Sequence, residues 1–234
     1  MTTRLRVYRV PHSTNVERVA LAAALKGVAV EWVDVDPVDR SELIRVSGQS
    51  LAPVLIAGTG GAGAADAAAG GAGAGDAAAA GASAVEVVSD SPRILRWLEQ
   101  HYPQPPLLPA DPAARAEVEI FCDWFNRVWK LPPNAIDAEL GKAAPDPVAI
   151  AGWSADLRRG LDLFEALLAG RDYLFGALSL ADVTAFPFLK YPVLGRAAGD
   201  DERFHRILVE HMPLGDGYPG LRAWVARLDA LPRA

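Results

Sequence analysis

The sequence predicts two domains, an α+β domain followed by an all-α domain. Over residues 5–101, short apolar runs with strand character alternate with stretches whose apolar residues recur at helical spacing. Five prolines within residues 102–112 then indicate a stiff linker. Every apolar pattern beyond the linker has helical spacing. We therefore place the first domain at residues 1–105 and the second at residues 112–234, and a chain of 234 residues is long enough for both.

The first domain opens with a strand of alternating apolar residues, and Pro11 marks its end because proline lacks a backbone donor. A helix follows, with Gly27 as its stop signal. Pro53 starts a later strand, where a missing N–H is tolerated. The predicted elements after the first helix are a strand (28–36), a helical turn (39–45), two strands (54–56 and 85–88) and a helix that begins at Ser91 as N-cap with Pro92 as its first residue.

The turn before the first helix carries three polar side chains in a row, at residues 13–15. Thr14 and Glu17 have the spacing of a capping box, in which the threonine oxygen satisfies a free helix N–H. With Thr14 as the cap, the hydroxyl of Ser13 is left unclaimed beside the positive end of the helix dipole, a place that suits a thiolate. The alternative is that Ser13 is itself a helix cap.

Residues 57–84 form an insert made almost entirely of Ala and Gly. Its four other residues are Thr59, Asp66, Asp76 and Ser83. Such a segment buries too little apolar surface to offset an ordering cost of roughly 1–2 kcal/mol per residue. We expect a flexible insert, with a role as a hinge or lid as the less favoured alternative.

Composition excludes several classes of function. The net charge of −6 argues against a nucleic-acid partner. A single cysteine, Cys122, excludes an internal disulfide and fits a reducing cytoplasm. The chain start lacks a signal-peptide core, and no run reaches the roughly 20 apolar residues of a membrane span. The four histidines are scattered without metal-ligand spacing, so we expect no metal site.

The stretch VPHSTNVERVALAAALKGV closely resembles the first strand–helix unit of glutathione S-transferases, above all Ser-type classes such as phi and theta. In these, the serine of a run like S-T-N-V-x-R-V donates a hydrogen bond to the thiol sulfur, and that position falls on Ser13. The order of elements is also the thioredoxin-like arrangement. The resemblance therefore implies a thioredoxin-like N-terminal domain followed by the all-α C-terminal domain of this family, covering nearly the whole chain except the insert.

Two further steps of the sequence resemble the family's thiol-binding site. Ala52–Pro53 matches its Val–Pro step, whose proline is cis and whose preceding backbone groups pair with a peptide-like ligand. Asp90–Ser91 matches the Glu/Asp–Ser step that holds the γ-glutamyl end of glutathione. A hydroxyl and helix N-terminal amides suit a carboxylate, and Asp90 suits an ammonium. Taken alone, the Asp90–Ser91 step favours plain helix capping; together with Ser13 and Pro53 in sequence order, it favours ligand binding.

In the second domain, the resemblance places the electrophile pocket against its first helix. The aromatic residues available to it are Phe121, Trp124, Phe125 and Trp129, and His12 beside Ser13 is a further candidate. The neighbouring Cys122 is expected to be a small core residue rather than a nucleophile.

The S-x-x-D step formed by Ser179 and Asp182 resembles the capping box of the family's buried C-terminal helix. Its role there is in folding, so we assign these two residues no chemistry.

Departures from the family pattern leave the thiol open. Ser47–Gly48 replaces the common Asn–Pro before the proline loop, and Leu51 stands where several classes have a polar residue. No residue clearly matches the basic side chains that hold the glycine carboxylate of glutathione in the family, and Arg40 and Arg45 are no more than candidates. Glutathione is the expected co-substrate, with a sugar-linked thiol as the alternative.

The sequence therefore predicts a cytoplasmic, glutathione S-transferase-like enzyme that adds an activated thiolate to a small electrophile bound between the domains. The surroundings of Ser13 suit such a thiolate, since comparable sites lower a thiol pKa to roughly 3.5–7.5. Two alternatives remain: a non-catalytic binding or regulatory module of the same fold, and a thiol-dependent isomerase or dehalogenase. The resemblance also implies a homodimer, and neither nucleic acid nor membrane is expected as a partner.

Overall fold

The computed structural model describes residues 4–36, 38–58 and 85–234. The chain forms two compact units, one of residues 1–104 with 233–234 and the other of residues 105–232. Of the insert predicted at 57–84, Ala57 and Gly58 belong to a strand, and the remainder lies outside the described residues.

The first unit has the predicted order of strands and helices around a four-stranded mixed sheet. The strands lie in the order β2-β1-β3-β4; β2 is parallel to β1, and the other neighbouring pairs are antiparallel. The elements are β1 (Arg4–Arg9), α1 (Thr14–Leu25), β2 (Val30–Asp34), α2 (Ser41–Ser47), β3 (Val54–Gly58), β4 (Glu86–Ser89) and α3 (Ser91–His101).

Strand β1 is central, and both of its faces are buried. Val7 lies opposite Trp32 of β2 and Leu55 of β3, and its side chain is fully buried. Tyr8 points to the other face, where it joins a core cluster with Leu43 of α2. Successive strand residues alternate between faces, so β1 needs apolar residues at consecutive positions to fill both cores.

The second unit is all helical, as predicted. Its elements are α4 (Pro112–Trp124), a π-helical turn (Phe125–Trp129), α5 (Leu131–Leu140), α6 (Pro147–Leu168), α7 (Leu180–Leu189), α8 (Tyr191–Leu194), α9 (Arg203–Glu210) and α10 (Pro219–Asp229). Helix α5 was not predicted, and it contains the pair Pro132–Pro133. Both prolines lie in the first turn of that helix, where proline is tolerated.

The predicted capping box at the start of α7 is confirmed. Ser179 is the N-cap, and the buried Asp182 carboxylate accepts hydrogen bonds from its backbone N–H and its hydroxyl. The same carboxylate accepts from the Leu174 N–H at 3.0 Å and from the Trp224 indole at 2.8 Å. Burial raises the pKa of Asp182, and these four donors oppose that rise. Asp182 thus joins the helix start to a neighbouring loop and to α10.

Aromatic rings fill the core of the helical unit. Phe125 is fully buried and stacks on Trp129 with ring centroids 4.4 Å apart, while Phe164 and Phe188 contact both rings edge-on or tilted. Cys122 of α4 is also buried, as expected for a core residue. Across the described ranges, no helix is both long and apolar enough to cross a membrane.

Candidate functional site in the first unit

The start of α1 differs from the prediction. Ser13, not Thr14, is the N-cap, and its Oγ accepts from the Val16 N–H at 3.4 Å. The backbone of Ser13 is extended (φ −66°, ψ 123°), whereas Thr14 is already the first helical residue and is 5% exposed. The Thr14–Glu17 capping box is therefore wrong, because the chain enters the helix one residue earlier.

As a helix cap, Ser13 can still donate its hydroxyl proton. The cap uses a lone pair of Oγ, and 3.4 Å is at the long end for such a bond. A serine hydroxyl also carries one proton that it can donate. Ser13 is half-buried, so this donor lies at the surface of the unit beside the N-terminus of α1.

The residues before the two predicted site serines share an unusual backbone conformation. His12 has φ +63° and Asp90 has φ +78°, and they are the two non-glycine residues with positive φ in the described chain. Asp90 combines this with ψ 129°, well away from the left-handed helical region near φ +57°, ψ +47°. Backbone strain of this kind costs roughly 1–3 kcal/mol and clusters at functional sites.

The start of α3 also differs from the prediction by one residue. Asp90 occupies the N-cap position, Ser91 is the first helical residue and Pro92 follows it. The Asp90 side chain makes no capping hydrogen bond and is exposed. Ser91 is only 1% exposed, so its hydroxyl neither caps the helix nor faces solvent. Helix capping, the alternative explanation for Asp90–Ser91, therefore fails for both side chains.

A buried polar network links the starts of α1 and α3. The Ser91 hydroxyl lies 3.3 Å from Asn15 Oδ1 and donates to it, while Arg18 donates to the same oxygen at 3.1 Å and to Ser91 Oγ at 3.4 Å. Arg18 is fully buried. No ligand-binding role was predicted for Arg18 or for Asn15. Their i, i+3 spacing places them on one helix face and could have indicated this pair.

The helix start of α3 offers one backbone donor for an anion. Pro92 has no N–H, and the N–H groups of Arg93 and Ile94 donate to the Asp90 carbonyl at 3.1 and 3.0 Å. The Ser91 N–H is therefore the donor at the positive end of this helix dipole. The neighbouring Asp90 carboxylate adds a partner for a cation.

The proline loop before β3 has the predicted geometry at its centre. The Ala52–Pro53 peptide bond is cis, as the resemblance implied. Ala52 packs against the core cluster around Tyr8, and Pro53 is buried. Gln49 Nε2 donates to the Leu51 carbonyl at 2.9 Å, which holds the loop on the side that leads into Ala52.

The predicted electrophile-pocket residues separate into different environments. Phe121 and Phe125 lie in the aromatic core of the helical unit, where their ring centroids are 6.1 Å apart. Trp124 is half-buried and lines a cavity of about 510 Å³. On one side of this cavity lie the π-helical turn and α5, and on the other side lies α6. His12 is exposed in the turn before Ser13. Among the described residues, no group of three or more His, Cys, Asp or Glu could hold a metal ion.

Two family matches cover most of the chain. Residues 7–106 match the N-terminal domain of glutathione S-transferase, and residues 147–227 match its C-terminal domain. The chain belongs to the glutathione S-transferase family. The predicted thioredoxin-like domain and all-α domain are thereby confirmed as the fold.

The chain is similar to two kinds of protein, isomerases and an FtsZ-localized protein. Maleylpyruvate isomerase of a Ralstonia species is 29% identical over 98% of this chain and 96% of its own length. FtsZ-localized protein A of Caulobacter vibrioides is 36% identical, but over 42% of this chain and 47% of its own length. Among solved structures, maleylacetoacetate isomerase from Anaeromyxobacter dehalogenans, with bound dicarboxyethyl glutathione and citrate, is 25% identical with a TM-score of 0.65 and covers 99% of this chain and 89% of that one.

Proposed function

We propose that this chain is a glutathione-dependent enzyme that adds an activated thiolate to a small conjugated electrophile. Ser13 is the observation that carries the proposal. Its hydroxyl keeps a proton to donate, it is half-buried at the start of α1, and the helix dipole favours a negative charge there. A hydrogen bond and a helix N-terminus both lower the pKa of a thiol.

The described residues also suit the γ-glutamyl end and the peptide-like middle of glutathione. The Asp90 carboxylate, exposed and free of a capping role, suits the ammonium of the γ-glutamyl end, and the Ser91 N–H suits its carboxylate. The backbone of Ala52 suits the peptide-like middle as an added strand. In this proposal the Ser91 side chain acts through Asn15 and Arg18, holding the two helix starts together, rather than touching the thiol.

The reaction we favour is cis–trans isomerisation of an unsaturated keto acid. The thiolate attacks one carbon of the conjugated C=C bond, forming a C–S bond while the electron pair moves onto the carbonyl oxygen as an enolate. The former double bond is now single and rotates. The enolate then reforms the C=C bond and expels the thiolate, so glutathione is regenerated. Ser13 would hold the sulfur in its charged form before attack and after expulsion.

Two comparisons support this substrate class. The relative that matches this chain over nearly its whole length is a maleylpyruvate isomerase. A structure of similar fold, maleylacetoacetate isomerase, holds a dicarboxyethyl conjugate of glutathione. The proposed substrate is therefore a small acid with a cis double bond conjugated to a ketone. A cytoplasmic homodimer, as the family resemblance implied, is part of the same proposal.

A second candidate is a role in protein assembly without catalysis. The 36% match to FtsZ-localized protein A favours it, although that match spans about half of either chain. In this case the network of Asn15, Arg18 and Ser91 would serve the fold alone.

Turnover with defined substrates tests the first proposal. Purified protein is mixed with glutathione and maleylpyruvate, and the trans product is followed by chromatography; a chlorodinitrobenzene serves as a general electrophile. We expect isomerisation that requires glutathione and that falls in Ser13→Ala. Ser41→Ala, an exposed serine at the start of α2, is the matched control and should keep the full rate.

Binding measurements separate the two candidates. Titration calorimetry with glutathione, and with a sugar-linked thiol in parallel, should show heat with glutathione that Asp90→Ala weakens. Absence of turnover and of glutathione heat, together with co-sedimentation with FtsZ polymers, would overturn the enzyme and favour the assembly role.

A further inference from the structure

Residues 233 and 234 belong to the first unit, where they lie against α1 and β2. The Ala234 N–H donates to the Ala20 carbonyl of α1 at 3.1 Å, and the Trp32 indole of β2 donates to the Ala234 carbonyl at 3.0 Å. These two hydrogen bonds hold the main chain beside α1. The side chain of the preceding residue, Arg233, therefore starts from a defined place on the helix surface.

Arg233 forms an ion pair with Glu17 of α1. Its Nε lies 3.6 Å from Glu17 Oε1, and the two side chains are 25% and 20% exposed. Fully exposed ion pairs contribute little, because water and salt screen them and two flexible side chains must be ordered. Both reasons are weaker here, since the two side chains are half-buried and the main chain next to Arg233 is held in place.

Glu17 lies one helical turn after Ser13. Its N–H donates to the Ser13 carbonyl at 3.0 Å, and residues four apart on a helix have Cβ atoms about 5–6 Å apart. Glu17 is the acidic residue in the first turn of α1, where the helix dipole favours negative charge. A thiolate beside Ser13 is a second negative charge at the same helix end, so the Glu17 carboxylate by itself would oppose it.

Other charged and titratable groups surround the start of α1. They are Arg18 on the helix, His12 in the turn before it, Asp90 at the start of α3, and the ion pair of Arg9 with Asp34 at the ends of β1 and β2. All of them stay unchanged in the variants compared below. Differences between those variants therefore report on Arg233 and Glu17.

We propose that Arg233 is a positioning residue of the thiol site: it neutralises Glu17 and so leaves the positive end of α1 to the thiolate beside Ser13. Arg233 acts through its ion pair with Glu17 and does not touch the thiol. The inference rests on the proposed function, because it needs a thiolate at Ser13.

A cysteine placed at the site reports on these charges without any ligand. In a Ser13→Cys background, the rate of alkylation by iodoacetamide as a function of pH gives the pKa of the introduced thiol, and mass spectrometry separates it from the buried Cys122. Adding Arg233→Gln should raise that pKa by about 0.3–0.7 pH unit, and adding Glu17→Gln should lower it by a similar amount. With Glu17→Gln already present, Arg233→Gln should have less than half its effect, because no carboxylate holds the guanidinium there.

Three controls separate charge from packing. Arg6→Gln removes the cation of a comparable ion pair, with Glu31, on the sheet of the same unit and should change the pKa little. Arg233→Lys keeps the charge and should restore most of the shift. At roughly 1 M salt, where the Debye length is about 3 Å, the shifts should disappear, whereas an effect of altered packing would persist.

The same substitutions in the chain with Ser13 intact connect the charges to turnover. The pH profile of kcat reports groups of the enzyme–substrate complex, so its acid limb should move to higher pH in Arg233→Gln and to lower pH in Glu17→Gln. A pKa of the Ser13→Cys thiol that Arg233→Gln leaves unchanged, or a shift that salt does not reduce, would overturn the inference. If Arg233→Gln does not fold, Glu17→Gln decides, because an unchanged or raised pKa would contradict it. A shifted pKa in a protein that neither binds nor turns over glutathione would instead overturn the proposed function, and with it the role of Arg233 toward a thiol ligand.

Discussion

The starts of helices α1 and α3 share one local arrangement and differ in exposure. In each, a non-glycine residue with positive φ precedes a serine at the point where the chain enters a helix. Ser13 is half-buried and accepts one long cap bond, whereas Ser91 is 1% exposed and hydrogen-bonded to Asn15 and Arg18. Similar sequence patterns therefore lead to different environments. We propose that Ser13 meets the thiol and that Ser91 positions the helix start beside it.

The residues that precede the two serines, His12 and Asp90, differ in backbone strain and in charge. Asp90 has the more strained backbone and an exposed carboxylate that caps nothing, and His12 lies in a two-residue turn before Ser13. We propose that the strained backbone and the uncommitted carboxylate of Asp90 serve a ligand that needs the charge there. The strained turn at His12 has no such uncommitted charge to explain.

The largest expected effect is on turnover in Ser13→Ala. A hydrogen bond to a charged group contributes roughly 1.5–3 kcal/mol, so kcat/KM should fall by about 10- to 100-fold. Because the cap bond is long, the free energy of unfolding should fall by only about 0.5 kcal/mol. Steady-state kinetics and urea unfolding measure the two effects. A variant with full turnover would show that Ser13 is a helix cap and nothing more.

Next in size is the effect of Asp90 on thiol affinity. Asp90→Ala should weaken the binding of glutathione by about 10- to 100-fold, because it removes the carboxylate proposed to pair with the ligand's ammonium. Asp90→Gly should weaken it equally but raise the free energy of unfolding by about 1 kcal/mol, because glycine adopts positive φ without strain. Calorimetry and urea unfolding provide the measurements. An affinity that neither substitution changes would place the ammonium elsewhere.

Ser91→Ala should act mainly on stability. It removes the hydroxyl that lies between Asn15 and Arg18, and we expect a loss of about 1–2 kcal/mol in the free energy of unfolding. Glutathione affinity should fall less than in Asp90→Ala. Ser89→Ala, half-buried at the end of β4, is the matched control. A large loss of affinity at unchanged stability would mean that the Ser91 hydroxyl contacts the thiol directly.

The smallest effect is expected for His12→Gly. Relief of positive φ should raise the free energy of unfolding by at most about 1 kcal/mol, with turnover and glutathione affinity unchanged. Urea unfolding measures the gain. If turnover falls while stability rises, His12 has a part in the site and the contrast with Asp90 disappears.

Much of the fold was predictable because it is encoded locally. The capping box at Ser179 and the strand that ends before Pro11 each specify an element from a few adjacent residues. Helix α5 was not predicted, and its two prolines in the first turn and its weak amphipathic pattern give it little local signal. The π-helical turn has no simple sequence signal. Its extra residue per turn depends on how Phe125 and Trp129 pack in the core.

Within the candidate site, the sequence by itself determined the set of chemical groups: a serine hydroxyl before α1, a cis-proline loop at Pro53 and an Asp–Ser step before α3. Tertiary structure alone decided what each group does. Ser91 and Asn15 are 76 residues apart in sequence, and only the packing of α3 beside α1 brings them within 3.3 Å. Burial there holds the Ser91 hydroxyl between Asn15 and Arg18, and we propose that it positions the helix start, whereas the half-buried Ser13 keeps a proton that it can donate. The local pattern is the same at both helices, so the difference lies in long-range contacts that no short stretch of sequence encodes.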